Sequence, residues 1–151
     1  MNTKTDVVEN LRPQVKRWVE SRGLQILYVD YLQLLLTEQK GSNRADAVST
    51  VSRTLKLIAM ENNIPVVSLC QFNRAAANAS VFEILGMLKE SSSIEQDAST
   101  VSYVQIEKNT MDNPNRAAQL TVLKNRNGAT FKPINLNYHG PTFTFTENLI
   151  Q

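Results

Sequence analysis

Val7, Val8, Leu11, Val15, Trp18 and Val19 recur near helical spacing. The pattern predicts a helix from Thr5 to Arg22, stopped by Gly23, which enters the left-handed region without a Cβ clash. Pro13 removes a backbone donor and either kinks or starts that helix. Leu24 to Val29 (LQILYV) is a short apolar run rich in β-formers and reads as a strand buried on both faces, ending at Asp30. After a loop around Thr37 to Asn43, Val48, Val51, Leu55, Ile58 and Ala59 share one face of a predicted helix over Arg44 to Asn62, capped by Ser42 or Asn43. Ile64 to Leu69 is a second apolar strand. Strand, helix, strand is a crossover unit and therefore implies a parallel pair.

Beyond Gln71 the pattern weakens. Asn73 to Ser80 is small and polar and reads as a loop, and Val81 to Leu88 as a short helix. Ser93 to Ala98 fits one helical turn, with a serine cap and Gln96 at capping-box spacing. From Thr100 the period falls towards two. Thr100 to Glu107, Ala117 to Lys124, Thr130 to Asn137 and Thr142 to Thr146 are predicted strands, and Asn125-Arg126-Asn127-Gly128 a hairpin turn that tolerates positive φ. An α/β region is thus followed by a β-meander, with no clear boundary between them.

The chain has 151 residues, 42% hydrophobic and 20% charged, enough to bury a core. No apolar run approaches the roughly 20 residues of a membrane helix, and Met1 to Asn10 has no apolar signal core, so a cytoplasmic location without membrane contact is expected. One cysteine and one histidine exclude an internal disulfide and a structural zinc site, and leave Cys70 and His139 without an evident catalytic partner. The net charge of +2 is too mild to name nucleic acid as a partner.

Chemistry concentrates at a few positions. Asp30 closes the first buried strand, where ligands of α/β sheets bind and where an acid in nucleoside triphosphatases holds Mg²⁺ through water; a turn or helix-start Asp is the bland alternative. Gln71 closes the second and should share that rim, as a phosphate sensor or water-orienting amide or as an ordinary loop residue. Lys124 and Arg126 flank the hairpin turn, either as a cation pair that reaches another subunit's phosphates or as a solvated tip. Arg74, Lys89 and Lys108 are candidates for a nucleic-acid backbone, and Lys89-Glu90-Ser91-Ser92-Ser93 offers hydroxyls and amides for phosphate oxygens or is a plain polar loop. Trp18 and Phe131 read as core rather than as base-stacking residues.

Together these segments resemble the motor domain of the DnaB-type replicative helicases. ILYVDYLQLL (Ile26 to Leu35) is similar to that family's Walker B strand, and VVSLCQFNR (Val66 to Arg74) to the strand carrying its γ-phosphate-sensing Gln. LKESSSIEQDAS (Leu88 to Ser99) resembles its DNA-binding loop, and VLKNRNG (Val122 to Gly128) its trans-acting hairpin. The resemblance implies an α/β fold: a truncated RecA-like, mostly parallel sheet with helices on both faces, followed by an antiparallel meander. It implies one partial domain over residues 1–151, with a leading helix to 22, an α/β core over 24–107 and hairpins over 117–146. It also assigns roles: Asp30 to Mg²⁺ and Gln71 to coupling nucleotide to DNA. Lys124 and Arg126 take the trans finger, and Arg74, Lys89, Glu90 and Ser91 the DNA face. ATP and Mg²⁺ are the implied cofactors, and single-stranded DNA, the remaining helicase segment and further copies in a hexamer the implied partners.

There are departures. Lys89 stands where the family usually has Arg and lacks the bidentate fork, and Ser92 stands where Gly is usual. No Gly-Lys dipeptide, and so no P-loop, occurs among these residues, and the family's catalytic Glu is missing with it. Little ATPase activity is therefore expected of this chain by itself. The alternative is a non-enzymatic module that binds single-stranded DNA or a helicase ring; a recombinase- or clock-type ATPase fits the Tyr-Leu-Gln-Leu and Asn-Gly segments less well. The missing P-loop strand should also bare two apolar strand edges, to be closed by re-pairing, strand exchange or a partner chain.

Overall fold

The computed structural model describes residues 7–37, 43–71, 80, 83–84, 87, 92–107, 113–130 and 132–147. Arg74, Lys89, Glu90, Ser91, Lys108 and Phe131 lie outside them. The chain divides into two compact units, Met1–Ala98 and Ser99–Gln151.

In the first unit, helix α1 (Val8–Arg22) starts later than its periodicity predicts. Val7 is extended and bridges Leu36 in parallel, and the Val8 N–H donates to the Leu36 carbonyl at 2.9 Å, so strand-like pairing claims the backbone that a longer helix would use. Pro13 is interior to α1 and does not start it. The end is as expected. Gly23 adopts φ 63°, with its N–H on the Val19 carbonyl, the bond of an αL cap, and the Leu24 N–H reaches the Trp18 carbonyl.

Strand β1 (Leu27–Val29) is followed by a 3-10 turn, Leu32–Leu34. Helix α2 (Arg44–Asn62) is capped by Asn43, whose Oδ1 accepts the Asp46 N–H at 2.9 Å. Asn63, in the left-handed region, turns the chain into β2 (Val66–Ser68). The two strands are parallel, with Leu27 opposite Val66, Tyr28 opposite Val67 and Val29 opposite Ser68.

One cluster supports them: Val8 and Val15 from α1, Val29 and Leu32, Val51, Leu55 and Ile58 from α2, and Ile64, with half-buried Trp18 packed against it. The other sheet face differs from its sequence reading. Tyr28 is 69% and Val67 41% exposed, so among the described residues the strands are buried on one face only. Arg12 on α1 and Glu61 on α2 form a surface ion pair, whose hydrogen bond holds the Glu61 carboxyl below its ordinary value.

Farther along, Ser80 and Glu83 form a reciprocal capping box, with the Ser80 N–H on Glu83 Oε2 at 2.6 Å and the Glu83 N–H on Ser80 Oγ at 3.3 Å. The predicted box at Ser93 is not formed, because helix α3 (Ser92–Asp97) already includes Ser93. The Asp97 carboxylate instead ties α3 to α2, accepting from Ser52 Oγ at 3.0 Å and from Arg53 at 3.3 Å.

The second unit is an antiparallel meander of β3 (Thr100–Ile106), β4 (Asn115–Asn125), β5 (Pro133–His139) and β6 (Thr144–Glu147), in that order. A bulge interrupts the β3–β4 register between Val101 and Ser102. Buried Tyr138 lies 4.8 Å from the Phe145 ring and under the Arg116 guanidinium at 4.8 Å. Among the described residues β2 pairs with β1, and β3 with β4. Among them, no helix is long and apolar enough to cross a membrane.

Ile58, fully buried in the α1–α2 cluster, supplies a direct test of this core. Ile58→Ala should cost about 2–5 kcal/mol in urea-unfolding stability; a loss under about 1 kcal/mol would show that the cluster is not the core.

Candidate functional site

A parallel pair places the carboxyl ends of both strands on one rim. Asp30 follows β1 directly, exposed, and its peptide bond to Tyr31 is cis. Gln71 lies three residues past the end of β2, also exposed. The two strand ends are laced together by the Leu69 N–H on the Val29 carbonyl at 3.0 Å and the Leu32 N–H on the Leu69 carbonyl at 2.9 Å. The sequence-predicted acid and amide therefore close neighbouring, mutually hydrogen-bonded strands.

A third residue bonds to the Gln71 end. Gln33 sits in the 3-10 turn that buried Leu32 anchors. Its Nε2 donates to the Gln71 carbonyl at 2.8 Å, and its Oε1 accepts the Gln71 N–H at 3.2 Å. Nε2 also lies 3.1 Å from Cys70 Sγ. Sequence reasoning passed over Gln33 as part of a motif. The available signal was a lone amide between Leu32 and Leu34, one turn beyond a candidate catalytic acid.

Asp30 brings one carboxylate to the rim, and among the described residues no group of three or more metal-ligating side chains gathers.

Lys124 and Arg126 belong to the second unit. Lys124 is half-buried near the end of β4, and Arg126 is exposed in the turn, its N–H on the Ser99 carbonyl at 2.9 Å. The turn is tight: a Cβ on Gly128 would meet Asn125 Nδ2 at 2.6 Å, and Asn125 Oδ1 accepts the Asn127 N–H at 3.3 Å. Glycine at 128 keeps that side-chain bond possible, so the two cations stand on a defined hairpin rather than a slack loop.

The model of the DnaB-like helicase C-terminal domain matches residues 1–147. The chain belongs to this family. Its relatives include the replicative DNA helicase DnaB of Leifsonia xyli, 37% identical over 140 residues, covering 91% of this chain and 30% of that protein. A probable plasmid replicative DNA helicase of Chlamydia psittaci is 31% identical over 147 residues, covering 96% and 32%. The chain thus spans about a third of the length of these curated relatives. A DnaB-like replicative helicase solved for its interactions with primase superposes with TM-score 0.74 at 23% identity, covering 91% of this chain and 35% of that one. A solved ATPase domain gives TM-score 0.73 at 22% identity, covering 93% and 51%. These structures share the α/β fold of this DnaB-like domain.

Cys70 reports on the rim without any ligand. Desolvation around its Sγ pushes the thiol above its ordinary value, and the Gln33 hydrogen bond offsets this only in part. The thiolate is the nucleophile, so a raised pKa means less of it at a given pH. Alkylation of Cys70 by iodoacetamide should reach half its limiting rate at a higher pH in the folded chain than in urea; a midpoint equal to or below that of the unfolded chain would contradict the site geometry.

Proposed function

We propose that this chain supplies the nucleotide-facing rim and the trans finger of a replicative DNA helicase motor. The observation that carries this reading is that Asp30 and Gln71 follow the carboxyl ends of the same parallel pair, β1–β2, whose ends are hydrogen-bonded to each other. In this scheme Asp30 would hold Mg²⁺ through water, and the ion would supply charge neutralisation at the phosphates of ATP. Gln71 places its carboxamide where a γ-phosphate or attacking water would lie, and so conveys the nucleotide state to its loop. Lys124 and Arg126 of one copy reach the same rim of an adjacent copy in a hexamer and stabilise developing charge there. Arg74, Lys89, Glu90 and Ser91 face single-stranded DNA. The β-phosphate cradle is supplied by residues outside these 151.

A chimera tests the scheme. This chain replaces the matching segment of the Leifsonia xyli relative, and ATP hydrolysis is followed with and without single-stranded DNA. Asp30→Ala and Arg126→Ala should each lower kcat by about 100-fold or more. Lys89→Ala should reduce stimulation by DNA and shallow the log–log salt dependence of DNA binding by about 0.7. Turnover that is indifferent to Asp30 and Arg126 would contradict the proposal.

A further inference from the structure

We propose that Gln33 is a positioning residue that fixes where Gln71 stands relative to the Asp30 loop. The inference rests on the motor reading for its consequence, but its geometry stands apart from it. A carboxamide offers one acceptor oxygen and two N–H donors. Gln33 spends both kinds on one short segment: Oε1 on the Gln71 N–H at 3.2 Å, and Nε2 on the Gln71 carbonyl at 2.8 Å with Cys70 Sγ at 3.1 Å. The grip is on the backbone of Gln71, so the Gln71 side chain keeps its own donors and acceptor for a ligand. A two-point hold also restrains the backbone torsions φ and ψ of Gln71, which a single bond would leave freer.

The other end of the clamp is equally constrained. Leu32, 4% exposed, anchors the turn in the core, and the turn closes through the Leu34 N–H on the Tyr31 carbonyl and the Leu35 N–H on the Leu32 carbonyl, both at 3.1 Å. Only Tyr31 and Leu32 separate Gln33 from Asp30. Together with the Leu69 bonds to Val29 and Leu32, this makes the segments Asp30–Leu35 and Leu69–Gln71 one laced body. A displacement at the acid is then passed to the sensor amide through Gln33, which is the coupling step that a nucleotide-dependent Gln71 requires.

The test uses the full chain without nucleotide or DNA. Amide hydrogen exchange is followed by NMR in the wild type, in volume-matched Gln33→Met, and in Gln33→Glu, which keeps an acceptor but no donor. Gln33→Met should exchange the Gln71 amide about three- to tenfold faster, the change expected for one lost hydrogen bond, while Leu55 and Ile58 amides keep their rates. Gln33→Glu should restore part of the Gln71 protection, because its oxygen still accepts that N–H; a residue that merely filled space would give no such rescue. Should Gln33→Met not fold, Gln33→Glu alone decides: Gln71 protection must stay well above that of the same amide in an unstructured peptide. Equal Gln71 exchange in wild type and Gln33→Met, or no difference between the Met and Glu variants, would overturn the inference. Because no ligand is present, failure of the motor reading leaves this result unaffected, and the reverse holds as well.

Discussion

The parallel register of β1 and β2 is the constraint on which the rest depends. A parallel ladder sends both chains out at the same end, whatever follows them. Here Leu27, Tyr28 and Val29 stand opposite Val66, Val67 and Ser68, and the pairing is held from one side by the α1–α2 cluster around Val29 and Ile58. A slip of one residue would turn Val29 out of that cluster and Tyr28 into it, so core packing sets the register and the register sets the rim. Asp30 and Gln71 follow the same end of one strand pair as a consequence of burial elsewhere.

A three-residue parallel pair has few bonds of its own. Gln33 reinforces it beyond the end of the ladder, where the backbone would otherwise be free to separate. An amide suits this role because it matches both backbone groups of one residue, N–H and C=O, as a neighbouring strand would. The clamp thus extends sheet-like pairing to Gln71 through its backbone alone. In the second unit a similar economy holds the cationic hairpin. The turn is set by Asn125 and Gly128, and the Arg126 backbone is tied to Ser99.

Much of this was readable from side-chain periodicity. The helix over Arg44 to Asn62, the Asn43 cap, the Gly23 stop and the crossover rest on local chemistry, and local chemistry is what a sequence displays; the turn at Asn125 to Gly128 is present, but neither Asn127 nor Gly128 takes the positive φ expected of an Asn-Gly hairpin. The misses were tertiary. Val7 left the helix because Leu36 offered it a strand partner, and Ser93 lost its cap role because α3 began one residue earlier. An apolar run such as LQILYV does not reveal which face will be covered, and Tyr28 remains exposed. At the site, Asp30 and Gln71 were visible as strand-end polar residues. Gln33 was not, because its two contacts with Gln71 are to backbone groups 38 residues away, and a backbone target leaves no complementary residue type to notice.

The most direct test of the shared rim is a nuclear Overhauser map of the uniformly labelled chain. The account requires parallel-pattern cross-strand contacts linking Tyr28 with Val67 and Val29 with Ser68, together with contacts from the Gln33 side-chain amide protons to the Gln71 backbone. An antiparallel pattern between these strands, or Gln33 amide protons that see only their own turn and solvent, would contradict it.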